Sequence, residues 1–377
     1  VKIDYLPTLG LIGLLLNLCP PTALLYSDTA TPALLKSKQE AERKGYIFES
    51  SRGEIIAKAK KEGKLRVISS LGIESLKPVT EAFKKKYPFI DIRSEEISDT
   101  DAYQRMILEM KSGTASGRDV NYMTTDYYDN YLPYQKKFDV LGMAQQGVLE
   151  IPLGMIDPVN RNTVSYTTNT QIVAYNKTLI PEDKVPKRWE DFLKPEFKRR
   201  KFVVDIRPQE VANLVPAWGL EKTLQFARGI AAQNPIWTRG HARTLAAIVT
   251  SEYPMYLGAN LGGTRRAMGK DKTKVLDFKV VEPIPIRIGN HESVFANAAS
   301  PYAGLLWLDF IASQEAQNII DINHTGSVFV SGTTPYQLTQ GKKAALIAWE
   351  YAPKLEELQK KIFEAYGFPR AETAEKK

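Results

Sequence analysis

The chain has 377 residues, 43% of them hydrophobic and 25% charged, which excludes a disordered polymer and exceeds what one core of ordinary size organises, so two domains are expected. Its 51 Lys and Arg against 43 Asp and Glu give a net charge of +8. The surplus is scattered, without the basic stripe and interleaved aromatics of a nucleic-acid surface, and reads as a solvated face that would also favour an anionic ligand or membrane.

Leu9 to Cys19 is an apolar run that follows a short start containing Lys2. It is shorter than the roughly 20 residues a bilayer requires and has the length of the hydrophobic region of a secretory signal. Residues 1–30 are therefore expected to be an export signal, and the protein to act in the periplasm or outside the cell. Cys19 is the one cysteine. The bulky Leu18 before it argues against lipidation, and the rest of the chain is left without a disulfide, a thiolate nucleophile or a cysteine-based zinc site.

Residues 31–53 read as a polar lead-in, with a helix expected before Lys61. Lys64 to Ser70 carries a short β-branched centre that predicts a strand. Leu76, Val79 and Phe83 recur at helical spacing, and Lys84, Lys85 and Lys86 sit where the C-terminal end of a helix dipole favours cations. Phe89 to Arg93 is a second strand, Tyr103, Met106, Ile107 and Met110 mark another helix, and Asp119 to Met123 is a third strand. This β-α-β-α-β order predicts an α/β fold with a mostly parallel sheet covered on both faces. A second unit follows. Gln171 to Tyr175, Lys201 to Asp205 and Pro254 to Gly258 are strand-like, while Leu220 to Ala231 and Leu245 to Val249 trace helices. Phe278 to Pro285 is extended and limited by proline. Ser300 and Pro301 open a helix as N-cap and first position.

Several segments in this order resemble the extracellular solute-binding proteins of ABC importers, and within them the ferric-iron-binding branch. They are Gly63 to Ser70 with the helix to Pro88, Val173 to Lys177 followed by Val185 to Leu193, Trp237 to Gly240 with the helix to Pro254, and Trp307 to Gln317. The resemblance covers roughly Glu54 to Glu350. It implies a two-lobed periplasmic-binding-protein fold of type II, each lobe a mixed sheet flanked by helices, joined by two crossovers and closing on a ligand like a hinged trap. The crossovers are expected near Ser165–Asn169 and Val281–Pro285. Lobe one then takes residues 54–167 and 286–335, lobe two 168–285, and C-terminal helices 336–377. A monomer working with an ABC permease of the inner membrane is implied, with ligand sensing for a receptor kinase as an alternative role.

Ligands of such sheets meet strand C-terminal ends and helix N-termini. Followed to their ends, the strands nominate Ser69 and Ser70, then Thr125, Asp126 and Tyr127, then Arg207, Arg239 and Asn260. Each has a structural alternative. The serines can cap the next helix, the tyrosine-rich stretch can pack elements together, Arg207 can pair with Asp205 or Glu210, Arg239 can serve hinge-side structure, and Asn260 can cap a turn. His241, His291 and His324 are isolated and read as structural or exposed. Iron-binding members of the family carry two adjacent tyrosines just after the strand matching Pro254–Gly258. This chain has Asn260-Leu261-Gly262-Gly263 there, which opposes ferric binding by the usual tyrosinate set. Tyr127 and Tyr128 are adjacent, but in a first-lobe loop. The arginines, with Arg265 as a third, suit a small oxyanion through their forked donors. No resident cofactor is expected; Fe3+ enters only as an alternative transported ligand. Catalytic signatures such as a nucleophile elbow, a metalloprotease helix, a phosphate-binding loop or a dinucleotide fingerprint are absent, and no enzyme is expected.

Overall fold

The computed structural model describes residues 31–97, 100–115, 117–123, 128–323 and 325–368. The expected export signal with Cys19, the nominated Thr125, Asp126 and Tyr127, and His324 lie outside the described residues.

Among the described residues ten strands follow in chain order: β1 (Lys64–Ser69), β2 (Asp91–Glu96), β3 (Val120–Met123), β4 (Thr163–Asn176), β5 (Val203–Asp205), β6 (Ile236–Thr238), β7 (Met255–Asn260), β8 (Leu276–Lys279), β9 (Ile284–Val294) and β10 (Ala344–Ile347). They join laterally in the order β2-β1-β3-β9-β4-β7-β5-β6, with β10 added to β9 and β8 added to β4. β1 runs parallel to β2 and β3, and β5 runs parallel to β6 and β7. Each half is thus a small parallel sheet closed by antiparallel crossing strands, and the α/β, two-lobed reading holds.

The physical link between the halves is β4. Its 14 residues, TVSYTTNTQIVAYN, are buried at nearly every position, as expected of a β-branched strand covered on both faces. Its first part pairs antiparallel with β9, from Thr163 opposite Ser293 to Thr170 opposite Ile286. Its second part pairs with β7 and β8 in the other half. The first crossover therefore lies within β4, which changes partner from β9 to β7 between Thr170 and Gln171. The second runs along β9, and its pairing with β4 lies beyond the expected Val281–Pro285.

Each half has its own core. Lobe one packs Phe83, Trp307 and Phe310 edge to face, with both ring centroids 5.4 Å from that of Phe83. Lobe two packs Trp189, Phe192, Phe202 and Phe226. The lead-in is more ordered than its polarity suggests: the helices Pro32–Arg43 and Arg52–Glu62 are capped by Thr31 and Ser51. The second of these completes another element. Helix Pro301–Ile311 starts where expected, but the Ser300 side chain makes no cap bond. Instead the Glu62 carboxylate accepts from Tyr302 N at 3.1 Å and Ala303 N at 2.7 Å, placing a negative charge on the free N–H groups of that terminus.

The C-terminal region departs from an all-helical expectation. β10 lies parallel to β9; as a four-residue apolar run whose partner is distant in sequence, it gives no local signal. The last helix, Leu355–Tyr366, crosses back to lobe two, where Ile362 and Tyr366 enter the core with Phe226 and Ile230.

Candidate functional site

β1 and β3 in lobe one and β7 in lobe two deliver residues to the gap between the halves, the place where doubly wound sheets hold ligands. A cavity of about 330 Å3 opens there. Lobe one contributes Ser70 just after β1, Ile97 just after β2, Tyr122 of β3 and Tyr103 of the helix Thr100–Ser112. Lobe two contributes Asn260, which ends β7, with Gly262 and Arg266 of the helix Leu261–Lys270. The two crossovers contribute Asn169 and Asn290, and Thr325 completes the lining.

Two of the nominated residues meet here. The Ser70 hydroxyl lies 3.2 Å from the Tyr166 hydroxyl. Asn260 does what its structural alternative foresaw and lines the cavity as well: its Oδ1 accepts from Gly263 N at 2.9 Å, capping the helix, while its Nδ2 donates to Asn169 Oδ1 at 3.2 Å. That second bond ties lobe two to the first crossover. Asn290 lies in the left-handed region, at φ 55°, a conformation that asparagine tolerates better than most residues and that tends to concentrate at functional sites.

Ser69 is fully buried and stands behind the cavity wall. Neither serine caps the helix Ile73–Lys86, whose N-cap is Gly72. Ser69 also bonds the Tyr166 hydroxyl, at 3.2 Å, and belongs to a buried layer that extends to Glu292 and Trp307. Trp307 Nε1 donates to Glu292 Oε2 at 2.7 Å. Burial pushes the Glu292 carboxyl up to about 7 and the Tyr166 phenol well above its ordinary range. This layer backs Ser70 with buried groups held in place by hydrogen bonds.

The nominated arginines lie elsewhere. Arg207 donates from Nε and a terminal nitrogen to the two oxygens of Asp205 at 2.9 and 2.6 Å, so its fork is already engaged by its neighbour. Arg239 is exposed at the turn before the helix His241–Val249. Arg265 donates to the Asp321 carbonyl at 2.8 Å. The arginine that lines the cavity is Arg266, one residue on, with one terminal nitrogen donating to the Asn323 carbonyl at 3.1 Å. Tyr128, the described member of the adjacent tyrosine pair, faces away from the cavity: it donates to the Asp157 carboxylate and packs against Trp349 and His291. Burial, with Arg287 nearby, lowers the His291 imidazole to about 3, so it is neutral. A larger cavity, about 720 Å3, opens beside Tyr128, Asp157 and Trp349. The smaller one is the better candidate because both lobes and both crossovers meet in it.

Tyr103, Tyr122, Asn169, Arg266, Asn290 and Thr325 escaped sequence reasoning. Asn169 had a signal, since it closed the expected first crossover. Tyr122 lies one residue before the end of its strand, and Arg266 lies more than one and a half helical turns after the Asn260 cap. Asn290 and Thr325 carried none, because the pairing that brings them to the cavity is long-range. The chemistry of the lining is distinctive: among the described residues it holds hydroxyl, amide and guanidinium groups and no carboxylate or imidazole. Burial raises the Tyr122 phenol above its usual value, keeping it a neutral donor.

Fold and cavity together give a two-lobed α/β architecture with a cavity between the lobes. Residues 122–242 match the family described as bacterial extracellular solute-binding protein. No curated protein matches the chain in sequence. Among solved structures, the apo ferric ion-binding protein A of Pasteurella haemolytica superposes with a TM-score of 0.61 at 18% identity, covering 82% of this chain and 100% of that one. A Trichodesmium protein in complex with iron and citrate gives 0.62 at 16% identity, covering 81% and 100%. The substrate-binding protein of an ABC transporter from Agrobacterium tumefaciens gives 0.60 at 16% identity, covering 80% and 94%. At these identities the likeness is one of fold.

Proposed function

We propose that the chain is the extracytoplasmic solute-binding receptor of an ABC importer and captures a small, oxygen-rich anion in the cavity between its lobes, by closure about the two crossovers. The lining carries this reading. Arg266 and the start of the helix Leu261–Lys270 bring positive potential, the hydroxyls and amides bring hydrogen bonds, and among the described lining residues no carboxylate opposes an anion. Organic phosphates, phosphonates, sulfonates and dicarboxylates fit this chemistry.

A second reading, ferric iron as the cargo, is favoured by one observation: the rings of Tyr103 and Tyr122 stand 5.4 Å apart, centroid to centroid, on the lobe-one wall. Fe(III) seeks phenolate and carboxylate oxygen. Among the described lining residues it would meet two phenols, one of them held neutral by burial, and no carboxylate, so the anion reading is preferred. A thermal-shift screen of protein stripped of bound solute distinguishes the two. A ligand specific for the folded state adds about 2.7 kcal/mol at a hundredfold excess over its Kd. Stabilisation by an organic oxyanion and none by Fe(III) with citrate or carbonate is expected. Stabilisation by iron with a visible phenolate-to-iron band would overturn the anion reading.

A further inference from the structure

We infer that Asp205, Glu210 and His241 form a divalent transition-metal site in lobe two, separate from the cavity between the lobes. Topology gathers them: Asp205 ends β5, Glu210 lies on the short helix Gln209–Ala212 just beyond it, and His241 opens the helix after β6. One ligand atom from each lies within 4.8 Å of the others, a spread that small side-chain movements close around an ion with bonds of about 2.0–2.2 Å. Glu210 Oε1 is 3.1 Å from His241 Nε2, already near the spacing of two donors on one ion.

A second observation is independent of the clustering. Glu210 is 5% exposed, and its Oε2 has no hydrogen-bond partner among the described residues. A buried carboxylate oxygen left without a donor calls for a ligand. The surroundings match those of bound metals. His241 Nδ1 lies 2.9 Å from the Tyr256 hydroxyl, which fixes the ring and leaves Nε2 for an ion. Asp205 is in turn held by the Arg207 fork and, at 3.3 Å, by Gly240 N. Such outer contacts orient metal ligands in general. Two carboxylates against one guanidinium leave a net negative charge that a dication answers. An imidazole with two carboxylates suits an ion of the Zn(II) type rather than the all-oxygen sets of Ca(II) or Mg(II). The His241 side chain is 29% exposed, which gives an entry path and leaves a fourth position to water.

Calorimetric titration of the full chain, first treated with a chelator, with ZnCl2 tests the site. One ion per chain is expected, with affinity reduced about tenfold or more in both His241→Ala and Glu210→Gln and unchanged in Glu357→Gln, at an exposed carboxylate on the last helix. Each variant is checked for a cooperative unfolding transition; should Glu210→Gln not fold, His241→Gln at the partly exposed position carries the test. Absence of saturable binding would overturn the proposal and leave a His241–Glu210 pair without an ion. Zn(II) binding that survives both substitutions would overturn it too. The cavity reading rests on other residues and stands or falls separately.

Discussion

The fully buried Glu292 makes the stability of the protein depend on pH in a direction opposite to that of an ordinary ion-paired carboxylate. Burial lifts its folded value from 4.5 to about 7. Below 4.5 both folded and unfolded chains carry the proton. As pH rises from there the unfolded chain releases it first, folding becomes coupled to proton uptake, and stability falls until the folded carboxyl also ionises near 7. At about 1.4 kcal/mol per pH unit, the loss is about 3 kcal/mol, fully developed above that value. Glu292→Gln keeps an oxygen to accept from Trp307 Nε1 but cannot ionise. Urea unfolding of both proteins near pH 4.5 and again above pH 7 reads the difference. The variant should match wild type at the acid end and exceed it by about 3 kcal/mol at the alkaline end. Parallel profiles for the two proteins would refute the argument, as would a variant weakened most at high pH.

Other substitutions test packing and pairing. Arg52 stands 2.5 Å from Asp309, whose side chain is 1% exposed; Arg52→Ala leaves that carboxylate without its charge partner, with a bond from Glu150 N at 2.7 Å, and should cost about 3 kcal/mol near neutral pH by chemical denaturation. Because burial raises Asp309, this cost should shrink on acidification as the stranded group takes a proton. Phe83→Ala empties a site bounded by Trp307 and Phe310 and should cost about 3–5 kcal/mol, measured the same way. Asn260→Ala removes the cap of the helix Leu261–Lys270 and the bond to Asn169. It should lower stability by about 1 kcal/mol and weaken binding of the oxyanion that stabilises the wild type, read by titration.

The architecture was legible because its signals are local. The alternation of β-branched runs with helical periodicity marked β1, the helix after it, and β3, and the order of segments carried the two-lobed resemblance. Strand ends led to Ser70 and Asn260. Reasoning from the ends misplaced the charge, because sequence shows that Arg207 follows a strand but not that Asp205, two residues earlier, occupies its fork. Arg266 gave no such cue, being set over the cavity by the course of a helix. The crossing residues Asn169 and Asn290 depend on the antiparallel register of β4 with β9, which joins positions more than a hundred residues apart. Glu62 over the helix Pro301–Ile311 is similar: a long-range carboxylate takes the capping role that the local serine appeared to fill.

The most direct test of the central claim is a binding titration of stripped protein with the organic oxyanion that stabilises it best, run on wild type, Arg266→Ala and Arg239→Ala. The cavity reading predicts saturable binding of one anion per chain, about tenfold weaker when the charge-assisted bonds of Arg266 are lost and unchanged when Arg239 is removed. Binding that ignores Arg266 and depends on Arg239 would place the solute outside the cavity, before the helix His241–Val249, and contradict the claim.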